Sequence, residues 1–358
     1  MRKITKVTIY ITAHNHERAG LLKEAIQSAL DQTYGDFKII VLDNASMGES
    51  IFDAAASFGD KRIGYIRHER SISGEDNFNF AFDHNESEYF IVFHDDDIMF
   101  PWMIEEEAAV LDKYPDVGIV GCKPLLSAGA TKIPPRPSAV TPSFYGKKEF
   151  VAELCRVGYN PLIPSCVLFR AEAMRQNTNL RHKKEIGPCS DIYLWVECDL
   201  FGPFKMCIID EPLFQYRIHA MSGTAYDTNA AMREASAAKL DNLLREECPE
   251  MDLSRIWEFF VIFSLLPQMR RYINRDMTLD DLLAERKRIE DEHGWSLPDW
   301  RFEDKLAVSY LEDIAMAVKA GWKTVGDYLD AIAEAEKLGI RVSWKRHKMW
   351  FGDSYIQV

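Results

Sequence analysis

The chain has 358 residues and a mass of 41.2 kDa, a length that predicts two domains or one large α/β domain with an appendage. Hydrophobic residues make up 47% and charged residues 28%, values that exclude disordered, collagen-like and coiled-coil chains. The formal net charge of -13 argues against a nucleic-acid partner, because nucleic-acid phosphates would be repelled.

Three further features of the sequence bear on where the protein is located. The longest apolar runs, such as residues 256–266, are shorter than the ~20 residues that a membrane-spanning helix needs. Residues 1–6 lead into a strand-like run without the apolar core of a signal peptide. The seven cysteines form no CxxC pair and lack zinc-site spacing, so we expect reduced thiols. A cytoplasmic protein is therefore expected.

Strands and helices alternate along the first part of the chain. Short apolar runs predict strands at 7–12, 37–42, 62–67, 89–93 and 117–120. Helical spacing of apolar residues lies between them, at 21–30, 51–58, 77–82 and 103–113. Because strands this apolar are normally covered on both faces, the pattern predicts an α/β fold with an open, mainly parallel sheet and helices on both faces.

The character of the chain changes further on. A segment rich in Pro, Ser, Gly and Thr at 125–145 predicts a long loop, and strand-like runs follow at 165–170 and 206–219. Residues 229–340 have only helical patterns, at 229–246, 253–274, 278–293, 302–319 and 325–338. We therefore predict a catalytic domain over 1–222 and a helical domain over 223–358.

The strongest signal for function is the acidic triplet, Asp95, Asp96 and Asp97, at the end of the strand predicted at 89–93. Three adjacent carboxylates repel one another, so such a cluster needs a positive partner. Mn²⁺ and Mg²⁺ prefer oxygen ligands and leave positions open for phosphates. The alternative is a solvated loop or the N-cap of the next helix. Strand alternation aims His94 away from Asp95.

Two smaller polar clusters end the first two predicted strands. Thr12, His14 and Asn15 follow one strand, and Asp43 and Asn44 follow the other. On a parallel sheet these positions share an edge with the acidic triplet, and together they would suit a base and a ribose. The alternative is ordinary turn chemistry, for which Asp and Asn are common. No GxGxxG or GxxxxGK[ST] is present, which disfavours dinucleotide cofactors and P-loop nucleotides.

In combination, these segments resemble a known family. The chain carries IIVLDNAS, then NFNFAFDHNESEYFIVFHDDDIMFPWMIEEE, then PDVGIVGC, in that order. From Val7 to about Ser222 it resembles the family 2 glycosyltransferases, which have the Rossmann-like GT-A fold. The resemblance implies a nucleotide-diphosphate sugar donor and a divalent cation, Mn²⁺ or Mg²⁺.

The resemblance also implies roles for single residues. Asp43 would contact the base and Asp95 the ribose, while Asp97, with Asp96, would bind the metal that bridges the diphosphate. The residues expected to bind the nucleotide sugar are Thr12, His14, Asn15, Asp43, Asn44, Asn79, Asp95 and Asp96. The expected metal ligands are Asp97, Asp95 and His219. For His219, within YRIHAMSGT, an ordinary surface or core histidine is the alternative.

Asp191 is the candidate catalytic base. It lies in CSDIYLWVE, where the family has an acidic residue before a Leu-Trp helix, although Ser190 stands where the family often has Glu. A sugar hydroxyl is a poor nucleophile until a base takes its proton, and a placed carboxylate can do this. The alternative is that Ser190 or Asp191 is only a helix N-cap.

The sequence is thus interpreted as an inverting, metal-dependent glycosyltransferase using a UDP-type donor. Its acceptor would be a hydroxyl of a glycan or lipid-linked glycan in cell-surface polysaccharide synthesis. The basic and aromatic run at 341–351 could contact the inner face of the membrane, or could be an exposed tail that packs its aromatic rings. The alternative functions are a sugar-nucleotide nucleotidyltransferase and a non-catalytic nucleotide-sugar-binding protein on the same fold.

Overall fold

The computed structural model describes residues 5–127, 133–217, 229–273 and 276–295. The chain divides into two compact units. Unit 1 comprises residues 1–126, 131–154 and 160–217, and unit 2 comprises 127–130, 155–159 and 218–358. The domain boundary predicted between 222 and 223 lies outside the described residues, as do the helices predicted at 302–319 and 325–338.

Unit 1 is built on one sheet. Its strands are β1 (Val7–Ala13), β2 (Phe37–Asp43), β3 (Ile63–Arg67), β4 (Tyr89–His94), β5 (Ile98–Met99), β6 (Val117–Ser127), β7 (Pro142–Tyr145), β8 (Val167–Arg170) and β9 (Lys205–Arg217). The order is β3-β2-β1-β4-β8-β6-β9-β5, with β7 paired to β9. The pairs among β1 to β4 are parallel, as predicted, whereas β8 pairs antiparallel with β4 and β6. The second half of the sheet therefore departs from the expected parallel arrangement.

Helices cover this sheet and bury its apolar side chains. They are α1 (Ala19–Leu30), α2 (Ser50–Ala56), α3 (Gly74–His84), α4 (Met103–Lys113), α5 (Glu149–Val157), α6 (Ala171–Gln176) and α7 (Ser190–Phe201). In β1, Val7, Ile9 and Ile11 are fully buried, and Thr8 and Tyr10 on the opposite face are buried too. A strand buried on both faces is what the apolar runs predicted, and the α/β fold class is confirmed.

The segment at 125–145, which we expected to be a long loop, is partly regular. β6 continues to Ser127, and β7 pairs antiparallel with β9 from Pro142 to Tyr145. A strand of four residues is too short to show an apolar run or an alternation, so the pattern gave no sign of it. All seven cysteines are free and buried, which agrees with the expected reduced thiols.

The described part of unit 2 contains three long helices, α8 (Ala230–Glu247), α9 (Ser254–Ile273) and α10 (Leu279–His293). The Asp241 carboxylate of α8 accepts hydrogen bonds from the indole nitrogens of Trp257 at 2.7 Å and Trp295 at 2.8 Å. Arg245 donates to the same carboxylate at 2.7 Å. One buried acid thus joins α8, α9 and the segment after α10. Of the helices that the structure describes, none is both long and apolar enough to cross a lipid bilayer.

Candidate active site

The carboxyl ends of three neighbouring strands create the site. In the β1–β2 register Ala13 pairs with Asp43, and in the β1–β4 register Thr12 pairs with His94. The polar residues that follow β1, β2 and β4 therefore leave the sheet side by side. In open α/β sheets this edge is where ligands bind.

The acidic triplet is almost inaccessible to solvent, with exposures of 2%, 8% and 0% for Asp95, Asp96 and Asp97. The sequence analysis predicted that these carboxylates need a positively charged partner, and a side chain of the protein itself supplies part of that charge. Nη2 of Arg18 lies 2.5 Å from Asp95 Oδ1 and 2.5 Å from Asp96 Oδ2. Arg18 comes from a 3₁₀ turn, His16–Arg18, directly after β1. The sequence analysis missed it, although an arginine in the loop after strand one was the available signal.

Asp97 is held differently. Its Oδ1 accepts the backbone N–H of Arg217 at 3.0 Å, while its Oδ2 is buried and lacks a well-formed hydrogen bond from the described residues. Burial raises the pKa of Asp97 well above its ordinary value and that of Asp95 to about 7, and the nearby Asp96 carboxylate adds to both shifts. A further positive charge beside carboxylates that are this strongly desolvated would stabilise their ionised form.

The donors for such a charge are grouped around Asp97. His94, Asp96 and Asp97 each offer a ligand atom, and these atoms lie within 4.8 Å of one another. His94 Nδ1 is 3.9 Å from Asp97 Oδ2, and desolvation lowers the pKa of His94, which favours the neutral, ligating ring. One imidazole nitrogen and carboxylate oxygens suit Mn²⁺ or Mg²⁺, so the residues present fit a divalent cation.

His94 joins the group because the chain stops being a strand after it. β4 ends at His94, and a turn over Asp95 and Asp96 brings Asp97 back beside the imidazole. Strand alternation argued against His94 as the main ligand, but that argument concerned Asp95 and does not extend to Asp97, so His94 is now a candidate ligand. Asp95 itself is paired with Arg18, and His219 lies outside the described residues. Whether Asp95 and His219 bind metal stays a prediction.

Asp43 ends β2 and is 1% exposed. Its Oδ1 accepts the backbone N–H of Ser46 at 2.8 Å, and its Oδ2 accepts the Tyr65 hydroxyl at 2.5 Å, with Arg67 Nε at 3.4 Å. Burial and this hydrogen bond raise the pKa of Tyr65. The carboxylate is thus fixed at the edge of the sheet by partners from β3 and from its own turn. Tyr65 is an additional residue that the sequence analysis did not assign here.

Two of the predicted binding residues connect loops. Asn44 donates to the carbonyl of Ile72 and accepts from its N–H, both at 2.8 Å. Asn79 makes the same double contact with His182, at 2.7 and 2.9 Å. Each side-chain amide pins a distant loop beside the site, so contact with a nucleotide sugar remains a prediction for both residues.

The residues at the end of β1 and directly after it lie at the same edge of the sheet as the triplet. The Asn15 side chain accepts the backbone N–H of Glu17 at 2.9 Å and caps the 3₁₀ turn that carries Arg18. Thr12 is half-buried and His14 is exposed at the same edge. Their placement agrees with a role in ligand binding, which the structure does not test.

Asp191 lies in the first turn of α7 and is half-buried. The helix begins at Ser190 without a side-chain cap, and the Ser190 hydroxyl instead accepts the N–H of Lys183 at 3.1 Å. Asn160 Nδ2 donates to Asp191 Oδ2 at 3.3 Å. Desolvation raises the pKa of Asp191 to about 6. The helix-cap alternative is therefore not what the structure contains, and Asp191 can exchange a proton near neutral pH.

A short segment connects Asp191 with the acidic triplet. Asn160 binds Asp191, and Ser165, further along the same segment, accepts the backbone N–H of His94 at 3.2 Å. The backbone between Asn160 and Ser165 can span at most ~18 Å. Asp191 and the strand end that carries the acidic triplet therefore both contact this one segment.

The comparisons with known proteins agree with this geometry. Residues 8–177 match the model of glycosyl transferase family 2. EpsE of Bacillus subtilis, which carries a glycosyltransferase name, is 26% identical over 255 residues, covering 69% of this chain and 84% of that protein. An uncharacterized glycosyltransferase of Rickettsia conorii is 37% identical over 110 residues, which is 30% of this chain and 18% of that protein.

Among solved structures, S. aureus TarS 1–349 in complex with UDP-GlcNAc is similar with a TM-score of 0.57 and 11% sequence identity. The alignment covers 94% of this chain and 93% of that chain. At this identity the likeness shows a shared fold. Residues 8–177 are thus similar to the glycosyl transferase family 2 domain, and the chain shares its fold with TarS.

Proposed function

We propose that this chain, which is a glycosyltransferase, moves a sugar from a nucleoside-diphosphate sugar, UDP-type, to a hydroxyl of a glycan or lipid-linked glycan. The observation that carries the proposal is the buried acidic triplet at the strand ends, where Asp97 Oδ2 lacks a well-formed hydrogen bond from the described residues, together with Asp191, which contacts the same 160–165 segment as the end of β4. Such a site joins a place for a diphosphate to a place for a general base. That TarS was crystallised with UDP-GlcNAc supports the choice of donor class.

Asp97 and Asp96, with His94, would hold the divalent cation. When bound, Mn²⁺ or Mg²⁺ neutralises negative charge on the departing diphosphate as a Lewis acid. The protein's own contribution is to exclude water, because the triplet is at most 8% exposed and its charges act in a low-dielectric setting. Arg217 fixes the orientation of Asp97 through its backbone N–H.

Asp191 would accept the proton of the attacking hydroxyl. With a pKa of about 6 it is mostly ionised at neutral pH, yet it is a stronger base than an ordinary aspartate. Asn160 donates a hydrogen bond to Oδ2 of this carboxylate and so helps to orient it. A single base beside the donor suits direct displacement, in which the anomeric configuration is inverted and no covalent sugar–enzyme intermediate forms.

Asp43 would accept a hydrogen bond from the base, and Asp95 would contact the ribose. The partners of Asp43, Tyr65 and Ser46, keep its carboxylate in one orientation. This positioning supports base recognition, because a fixed acceptor loses little conformational entropy on binding.

The wider setting is also part of the proposal. We assign donor chemistry to a catalytic domain over 1–222, and we assign acceptor contacts to the 125–145 segment and a helical domain over 223–358. An enzyme that acts in the cytoplasm on the synthesis of cell-surface polysaccharide would suit a lipid-linked acceptor. The basic and aromatic run at 341–351, which lies outside the described residues, would then touch the inner face of the membrane.

The test is release of nucleoside diphosphate from a panel of UDP, GDP and TDP sugars with Mn²⁺. Asp97→Asn and Asp191→Asn should each lower turnover by roughly 100-fold or more, while Asp53→Asn, on the exposed face of α2, should not. Wild-type rates in both site variants would refute the assignment. Pyrophosphate release from a nucleoside triphosphate and a sugar phosphate would instead indicate a nucleotidyltransferase. Binding without turnover would indicate a non-catalytic protein.

A further inference from the structure

The feature that the proposed function leaves unexplained is the arginine inside the acidic triplet. We propose that Arg18 is a donor-binding residue with two positions: it neutralises the triplet before the donor binds, and it turns to the diphosphate when a divalent cation takes the carboxylates. This inference rests on the proposed function and adds a residue and an order of events to it.

The contacts of Arg18 place it in competition with a cation. A single nitrogen, Nη2, spans Asp95 Oδ1 and Asp96 Oδ2 at 2.5 Å each, and Asp96 also belongs to the candidate metal-binding group. The three side chains are at most 12% exposed, so their charges are little screened. A divalent ion that uses Asp96 must share or replace this contact.

The guanidinium is also only partly used. Arg18 is 5% exposed, yet its Nε is buried without a hydrogen-bond partner in the described part of the chain. A buried, unpaired N–H on a charged group is costly, and native proteins keep such groups mainly where a ligand or water completes them. Two parallel N–H donors on a planar fork match phosphate oxygens, which a lysine ammonium cannot do.

The second arginine near the triplet has a different role. Arg217 binds the carbonyl of Asp96 through Nε and the Glu24 carboxylate through Nη1 at 2.5 Å, while only its backbone N–H reaches Asp97. Its guanidinium is thus held by groups outside the triplet carboxylates. Arg18 is the arginine whose partners a bound cation would take away, so it is the one free to move to the diphosphate.

Calorimetric titration of three variants tests the proposal. Arg18→Gln removes the charge and keeps a polar side chain, Arg18→Lys keeps the charge without the fork, and Arg62→Gln removes an arginine that pairs with Asp60 away from the triplet. Arg18→Gln should bind Mn²⁺ alone about tenfold more tightly, because a competing charge is gone. The same variant should bind UDP with saturating Mn²⁺ about tenfold or more weakly. Arg18→Lys should lose UDP affinity and keep Mn²⁺ affinity near wild type.

A merely structural arginine would give the opposite sign for the metal, because a disordered triplet binds Mn²⁺ less well. Weaker or unchanged Mn²⁺ binding in Arg18→Gln therefore overturns the inference, as does unchanged UDP binding. If wild type binds neither Mn²⁺ nor UDP, the proposed function itself fails. If wild type binds both and the Arg18 variants match Arg62→Gln, only the role of Arg18 fails.

A measurement on the wild-type protein covers the case in which Arg18→Gln does not fold. Phenylglyoxal labels accessible guanidinium groups, and peptide mass spectrometry locates the label. Labelling of Arg18 should be low in the free protein, higher with Mn²⁺, and low again with Mn²⁺ and UDP. No increase with Mn²⁺, or no protection by UDP, would contradict the two positions.

Discussion

Replacing Asp191 with asparagine should stabilise the protein at alkaline pH while abolishing transfer. Desolvation raises the pKa of Asp191 from 3.8 to about 6, so the folded state binds this proton more tightly than the unfolded state does. Folding stability contributed by the group is therefore lost as the pH rises between these two values, and the deficit is fully present above the higher one. Asparagine carries no charge and avoids the deficit.

The size of the effect follows from the shift. About two pKa units correspond to about 3 kcal/mol, and the partial exposure of Asp191 reduces the expected gain to about 1–2 kcal/mol. For a folded domain of about 150–250 residues, a gain of about 1–2 kcal/mol raises the melting temperature by about 2–8 °C. At acid pH the wild-type carboxyl is protonated and resembles the amide, so the difference should vanish.

The assay is thermal unfolding of the full chain at about pH 8 and about pH 3, above and below both pKa values. Asp53→Asn serves as the control, since an exposed aspartate should change stability by less than about 0.5 kcal/mol at either pH. Groups that titrate in both proteins cancel in the comparison. An Asp191→Asn protein that is no more stable than wild type at the higher pH would refute the reasoning that burial tunes this base.

Two further variants test other parts of the structure. Asp241→Ala leaves the indole N–H groups of Trp257 and Trp295 without their acceptor and should cost about 2–5 kcal/mol, measured by urea denaturation; an unchanged midpoint would contradict a joining role for this acid. Tyr65→Phe removes the hydroxyl that orients Asp43 and should weaken UDP binding by roughly threefold to tenfold in calorimetry. Full affinity would argue that Asp43 does not meet the base.

Local pattern was sufficient for the parallel half of the sheet. β1 and β4 are apolar runs buried on both faces, β2 is apolar and mostly buried, and the acidic triplet follows β4, so strand and site were visible together. β7 was missed because it is only four residues long and pairs with β9, which lies far away in the sequence. The helix α9 contains Pro267 but continues, since tertiary packing outweighs the propensity of one residue.

The candidate site shows the same division. The pattern placed Asp43 and Asp97 at strand ends and the family resemblance singled out Asp191, while the roles of all three stay predictions. The pairing of Arg18 with Asp95 could not, because a loop side chain has no periodic signal and its direction depends on the three-dimensional turn. Contacts of this kind can be identified only from the three-dimensional structure, and they determine the charge and the pKa values within the site.

The most direct test of the account is anomalous diffraction at the manganese edge from crystals soaked with Mn²⁺ and UDP. We expect one ion bound by Asp97 and His94, with the diphosphate beside it and the uracil near Asp43. An ion elsewhere, or UDP bound away from the ends of β1, β2 and β4, would contradict it.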